Sequence, residues 1–312
     1  ANPVLGQVWY NTTTNVVKGQ IVTAAAWASG GNLNTARSLM GCAGIQTAAL
    51  AFGGDSGSPP PATRDQAVTE SYNGSSWTEV NDLNASRRRI SGNGTTTSAL
   101  AAGGFEPPGV AKVESWNGSN WTEVGDLNQA RSSAGQAGAD NTSSIVFGGS
   151  NPAGALLALT ETWNGSAWTE VNDLNTSGYG VTGVGIVTAA LASDRANASD
   201  VAQTVVESWN GSSWTEVANL NTPRYYAGGS CSGTNTAALY FGGQAPGGVT
   251  AVNESWNGSS WTEIVDLSIA RAGAGGSGIQ SSALAFGGAP PYMNSTEEFT
   301  NAANTTVTFT DS

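Results

Sequence analysis

The side chains that could do chemistry in this chain come in sets. Glutamates pair at a spacing of nine residues: Glu70 with Glu79, then Glu114/Glu123, Glu161/Glu170, Glu207/Glu216 and Glu254/Glu263. Paired carboxylates are the usual material of general acid–base catalysis. Arginines recur at Arg37, Arg87, Arg131, Arg224 and Arg271, as a clamp for an anionic substrate would require. Asparagines open Asn-x-Ser/Thr triplets at Asn73, Asn117, Asn164, Asn210 and Asn257. An active site normally occurs once, however, and these groups occur once per repeat, so all three sets read as framework. The expected partners of the arginines are the acids repeating alongside, such as Glu79, Asp82, Asp126 and Asp173. If those pairs are exposed, each is worth only ~0–1 kcal/mol. The asparagine triplets coincide with turn chemistry, and glycosylation of them would need a eukaryotic secretory host. Histidine is absent, which removes the commonest metal ligand and the usual general base near neutral pH. No metal, no cofactor and no catalytic residue is therefore expected. Cys42 and Cys231 fall in equivalent strands about two repeats apart and read as buried free thiols rather than a disulfide.

What must position these groups is a repeat. ESYNGSSWTEVNDLN at 70–84 returns at 114–128, 161–175, 207–221 and 254–268. Its second tryptophan falls at Trp77, Trp121, Trp168, Trp214 and Trp261, in steps of 44, 47, 46 and 47 residues. That period belongs to propellers and arrays, whose units cannot bury a core alone. Between the units lies an apolar run ending in a glycine doublet, as in TAALAFGG at 47–54. It occurs six times, with TAALASDR at 188–195 as the departing copy. Only five units are complete. Trp27, Leu33 and Arg37 repeat the spacing of Trp77, Leu83 and Arg87, so 24–37 is the second half of a unit. STEEFTN at 295–301 supplies a first half, with Phe299 in the aromatic position. A circular array joined through its termini follows, and closure removes the strand edges that invite aggregation.

Each repeat reads as four strands. The first is Gly- and Ala-rich, as crowding near an axis demands. The second is apolar on both faces. The third and fourth are joined by Asn-Gly-Ser, a hairpin signal, which sets Tyr72 and Trp77 on one face as a cross-strand pair. The fold class is all-β: a six-bladed propeller of four antiparallel strands per blade, closed by the strand around Trp27. The expected domains are an N-terminal hairpin at 1–20, the propeller at 21–304, and a C-terminal strand at 305–312. That last strand is either the outer strand of the closing blade or a further strand against the hairpin at 6–19.

Composition bounds the partners. A net charge of −12 and few Lys or Arg argue against nucleic acid and anionic membrane, both of which demand clustered cations. No run of 18 apolar residues predicts a membrane-spanning helix. The start, ANPVLGQVWYN, has no initiating Met and no basic segment before an apolar one, so the chain is expected to be a processed or partial product.

The glycine doublets at Gly53, Gly103, Gly148, Gly242 and Gly287, the aromatic–Trp pairs and the following arginines resemble the kelch repeat over about residues 24–301. Two features depart from that pattern: the aromatic-to-Trp step is five, and the fourth repeat has Asp194-Arg195 for its doublet and Gly178 for its arginine. The WD-repeat family fits less well, lacking its Gly-His and Trp-Asp dipeptides here. Kelch-type propellers include galactose-oxidase-like enzymes, whose copper site needs histidines that this chain does not have. Sialidase-like propellers share only the Gly74-to-Trp77 tail of their Asp-box. The segment at 6–19 is similar to linker strands of phage tail-fibre proteins, and the Asn/Gly/Ser/Thr-rich repeats are similar to propeller modules of marine phage structural proteins. That resemblance implies a virion-surface or extracellular location and other virion proteins as partners through the N-terminal segment.

What varies lies after each doublet, at 55–68, 105–112, 150–158, 194–203, 244–250 and 289–294. In a four-strand blade these loops and the connections into each first strand emerge on one face. Loops on a rigid scaffold are where recognition usually resides. The expected ligand-binding residues are Asp55, Arg64, Arg88, Arg89, Phe105, Asp194, Arg195, Tyr225, Tyr226 and Tyr292, with Tyr179 close by. The expected function is non-enzymatic binding of a host surface glycan or protein. The alternatives are a purely structural decoration protein and a glycan hydrolase with a channel active site.

Overall fold

The computed structural model describes residues 7–57 and 64–309. Residues 1–6 of the N-terminal segment, 58–63 of the first variable loop and 310–312 of the C-terminal strand lie outside it. Among the described residues there is no helix, and hence none long and apolar enough to cross a membrane.

Among the described residues there are six four-stranded antiparallel sheets, each consecutive in sequence but for one strand. The first runs Gly41–Ile45, Ala48–Phe52, Thr69–Tyr72, Trp77–Val80. The next four begin at Ser91–Thr95, Gly135–Asp140, Thr182–Ile186 and Gly228–Gly229. The sixth runs Gly275–Ile279, Ser282–Phe286, Thr296–Thr300 and takes its outer strand, Ala26–Ser29, from the other end of the chain. Trp27 lies opposite Phe299 in that pairing, as the residue spacing predicts. The first strands contact one another in succession, and Gly275–Ile279 contacts Gly41–Ile45. The arrangement is propeller-like.

Local chemistry explains each element. The second strands are buried at every position from their second residue on, because both faces are covered. Gly92 shows the crowding of the first strands: a Cβ there would lie 2.6 Å from the backbone N of Cys42 in the neighbouring sheet. In the hairpin turn Asn73 Oδ1 accepts from the N–H groups of Ser75 and Ser76 at 3.0 and 2.9 Å, while Gly74 takes φ +90°. Tyr72 then faces Trp77 with ring centroids 5.0 Å apart.

The outer-strand tryptophans join sheets. Trp121 meets Phe52 of the preceding sheet at 4.9 Å, Trp214 meets Phe147 at 4.8 Å, Trp77 meets Phe286 at 4.8 Å, and Trp27 meets Phe241 at 5.1 Å. Each such contact adds about 0.5–1.5 kcal/mol beyond buried area.

The arginines are not paired with Glu79, Asp82, Asp126 or Asp173, and they are not exposed. Each reaches the first glutamate of the unit instead: Arg37 to Glu70 at 2.6 Å, Arg131 to Glu161 at 2.5 Å, Arg224 to Glu254 at 3.2 Å, Arg271 to Glu297 at 2.6 Å, and Arg87 to Glu114. The same glutamates accept from the residue that ends the previous unit, an Asn except for Ser268, whose N donates to Glu297 at 2.7 Å; Glu70 accepts from Asn34 N and Nδ2 at 2.6 and 2.9 Å. Asn84–Glu114, Asn128–Glu161, Asn175–Glu207 and Asn221–Glu254 repeat that bond. Burial pulls the guanidinium of Arg37 below its ordinary range, and Glu70 pulls it back.

The fourth sheet solves the same problem with displaced residues. Arg195 supplies the guanidinium that Gly178 cannot, bonding Glu207 at 2.8 Å. A Cβ on Gly178 would meet Arg195 Cβ at 2.9 Å, so the glycine makes room for it. Asp194 stands where other repeats have the first glycine of the doublet and takes its left-handed φ, +53°.

The C-terminal strand, Ala303–Phe309, is not the outer strand of the sixth sheet. It begins before 305 and pairs with Val16–Thr23, which pairs with Val8–Asn11, making a separate three-stranded sheet.

Candidate functional site

One end of the molecule gathers the residues that fail to repeat. The residue after each doublet bridges the connection entering the first strand: Ser38 with Asp55, Arg88 with Phe105, Ser132 with Ser150, Tyr179 with Ala196, Tyr225 with Gln244, Ala272 with Ala289. The variable loops and these connections thus form a single rim.

The next residue in each connection is left-handed: Leu39, Arg89, Ser133, Gly180, Tyr226 and Gly273, with φ between +53° and +70°. Their backbones bond in series. Leu39 N donates to Gly273 O at 2.7 Å, Arg89 N to Leu39 O at 2.7 Å, and Ser133 N to Arg89 O at 3.0 Å. Gly180 N then donates to Ser133 O at 2.9 Å, Tyr226 N to Gly180 O at 3.0 Å, and Gly273 N to Tyr226 O at 2.8 Å. The last bond returns to the first residue. Left-handed backbone strains any side chain but glycine by of order 1 kcal/mol, and here the ring of bonds imposes it. These residues surround a cavity of about 110 Å3 on the axis, lined also by Cys42, Ser91, Gln136 and Cys231.

Around this mouth the expected binding residues fall into two groups. In the first, Asp55 is fully buried and so lies behind the rim surface, where it accepts from Arg64 Nε at 2.8 Å, and Arg64 donates to the Tyr292 hydroxyl at 3.3 Å. Tyr292 comes from the sixth-sheet loop and packs on Gly57, where a Cβ would lie 2.1 Å from its ring. Arg88 pairs with Asp65 and lies 4.6 Å from the centre of the Phe105 ring, with Arg89 at 5.7 Å from the same ring. Burial alone would raise the Asp55 carboxyl, but the Arg64 hydrogen bond and charge hold it below the ordinary carboxylate range.

The second group is a trio of tyrosines. Tyr179, Tyr225 and Tyr226 have ring centroids 5.2–5.8 Å apart. Tyr179 donates to Asp200 Oδ1 at 2.7 Å, and the Tyr226 hydroxyl lies 2.9 Å from Ser133 Oγ. Burial raises Tyr226, with Arg89 pulling it down, so it remains a neutral hydroxyl.

Asp194 and Arg195 do not join the rim. Both are fully buried, because Arg195 completes the framework ion pair and Asp194 the doublet turn. Burial pushes the Asp194 carboxyl up to about 6, with Arg224 at 3.6 Å pulling it down and Glu254 pushing it up. The left-handed ring as such, and Leu39, Ser133, Gly180 and Gly273 within it, escaped the sequence reading. The signal was there: each lies two residues after the arginine position, 37, 87, 131, 178, 224 and 271. Glycine at two of the six positions hid it.

The two thiols are free, as expected, but half-buried rather than buried, and they are neighbours. Both line the axial cavity, where Cys231 favours the Cys42 thiolate and is itself pushed up. The opposite mouth is apolar, lined by Ile45, Ala48, Thr95 and Ile186 around about 320 Å3. Among the described residues no three His, Cys, Asp or Glu side chains come together as metal ligands.

No protein-family model and no curated protein matches the sequence. Among solved structures, the fold is similar to one titled "Structure of YjhT", with a TM-score of 0.69 and 10% identity, covering 88% of this chain and 99% of that chain. At that identity the likeness speaks to fold.

Proposed function

We propose that the six sheets are the blades of one closed, kelch-like β-propeller, and that its variable-loop face is a non-enzymatic binding surface for a host-surface glycan or protein. Closure is supported by the series of backbone bonds that returns from Gly273 to Leu39 and by the outer strand that the N-terminus lends to the sixth sheet.

The observation that carries the binding reading is the segregation of the repeat. The arginine–glutamate pairs, the aromatic pairs and the leucines shared by the units are buried, while the non-repeating Arg88, Arg89, Phe105, Tyr225, Tyr226 and Tyr292 are partly exposed around one mouth. Aromatic faces beside hydroxyl, amide and guanidinium groups suit sugar rings, which offer apolar faces and hydrogen-bonding edges. The virion setting rests on the resemblance of the N-terminal strands and the repeats to phage structural proteins.

The three-stranded sheet favours a second role beside the first. Val8, Tyr10 and Phe309 are 61%, 56% and 52% exposed on it, an apolar strip that suits attachment to another virion protein. A chain that served only as decoration would use this sheet and nothing on the rim. A channel hydrolase finds less support, since no Asp or Glu is among the described residues lining either cavity.

Glycan-array binding separates these readings. Exchanging the rim loops for those of another repeat, with the framework intact, is expected to abolish or redirect binding. Unchanged adsorption to host cells after every loop is exchanged leaves the decoration role alone standing.

A further inference from the structure

Resting on the reading of the rim as a saccharide-binding face, we propose that Arg89 forms a subsite at the axial mouth for an anionic group, a carboxylate or sulfate, carried by that saccharide. Every other arginine faces a carboxylate: Arg37, Arg87, Arg131, Arg195, Arg224 and Arg271 in the buried ring of pairs, Arg64 with Asp55, and Arg88 with Asp65. Arg89 has no ion pair and no side-chain hydrogen bond among the described residues, and its Nε is buried without an acceptor. In a chain of net charge −12, one guanidinium withheld from pairing is a choice that folding alone does not explain. Arg37, Arg195 and Arg224 also leave a buried Nε without an acceptor, but each of those guanidiniums is neutralised by a carboxylate and that of Arg89 is not.

The surroundings select the charge and size of that acceptor. The cavity beside Arg89 holds about 110 Å3, room for a carboxylate or sulfate. No Asp or Glu is among its described lining residues. Tyr226 and Ser133 bring hydroxyl donors to the same wall, 2.9 Å from one another. Arg89 is presented from a fixed backbone, bonded on both sides within the left-handed ring. Phe105 and the tyrosine trio flank the mouth, where the sugar ring bearing the anion would stack. A planar guanidinium recognises carboxylate and sulfate oxygens through paired donors.

The test uses the folded chain with matched oligosaccharides: a uronate, a sulfated one and their neutral counterpart, measured by titration calorimetry at two salt concentrations. The expected result is tighter, salt-sensitive binding of one charged form, weakened about tenfold or more in Arg89→Asn, as loss of a charge-assisted contact requires. Asn tolerates left-handed backbone, so the variant keeps the ring, and an unchanged melting temperature checks it. Arg89→Lys is expected to retain part of the preference. Which of the charged sugars binds tells carboxylate from sulfate. If neutral and charged forms bind alike, in wild type and Arg89→Asn, the anion subsite is overturned and the saccharide face survives. If no saccharide binds, the face fails, and the subsite is read separately from the Arg89 Nε–H resonance under acetate and sulfate titration. A saturable shift lost on changing Tyr226→Phe and Ser133→Ala together sustains the subsite; a flat response overturns it.

Discussion

Glu114 holds more than an ion pair. It accepts from Arg87, from Asn84 N at 2.8 Å and from Asn84 Nδ2 at 2.7 Å, so one carboxylate joins a unit to the one before it. Removing one partner of such a buried pair leaves the other charged and unmatched. Glu114→Ala is expected to destabilise by about 3–5 kcal/mol, and Arg87→Met with Glu114→Leu together by much less. Denaturant unfolding of the two variants checks this. Asp194 gives a pH signature. Its folded pKa is raised to about 6, above the ordinary carboxylate value of 3.8, so its contribution to stability is full below about 4 and lost as pH rises through 6. The difference is of order 3 kcal/mol. Stability measured against pH should lose that slope in Asp194→Asn, while Asp55, whose folded pKa is lowered, loses its contribution as pH falls through the acid range. The arginine partners were not legible in the sequence for a physical reason. Glu70 and Glu79 lie directly opposite one another and share a face, but Glu70 sits on an inner strand under the next connection and Glu79 on an outer one. Spacing reports the face and not the distance from the axis. The displaced pair Arg195–Glu207 was hidden for a related reason, since only folding shows that position 195 can reach the space left by Gly178.

Strands and turns were read more fully. The Asn-Gly-Ser turn fixes the register of the third and fourth strands, and the register fixes the aromatic pair, so Trp116 opposite Trp121 follows from three residues. The contact from Trp121 to Phe52 crosses sheets, and no spacing within one unit reports it. Trp121→Ala is expected to destabilise by about 3–5 kcal/mol through the cavity it leaves. A double-mutant cycle with Phe52→Ala should show a coupling of about 0.5–1.5 kcal/mol. Strict additivity of the two would mean the ring contact carries nothing beyond its buried area. The C-terminal strand was ambiguous because alternating Thr and Val in TTVTFT suits any free edge. Two edges were open to it, and the N-terminal hairpin holds it.

At the scale of the whole molecule, the terminal halves found by spacing alone join in the sixth sheet, and the axis brings together groups remote in sequence. Cys42 and Cys231 were placed two repeats apart, and the axis is narrow enough to make them neighbours. A short bifunctional thiol reagent is expected to bridge them within one folded chain and to fail in denaturant; bridging only between molecules would mean the first and fifth sheets do not meet. The same narrowness sets two mouths of opposite character, one ringed by Leu39, Arg89, Ser133, Gly180, Tyr226 and Gly273, the other by Ile45, Ala48, Thr95 and Ile186. The most direct measurement is equilibrium binding to a saccharide-coated or host-cell surface by two folded variants. One carries Phe105→Ala, Tyr225→Ala and Tyr292→Ala on the rim, and the other Ile45→Ser and Ile186→Ser at the far mouth. The expected result is binding lost in the first and kept in the second, with both melting cooperatively. Binding kept by the rim variant, or lost only by the far-mouth variant, contradicts the assignment of recognition to the variable face.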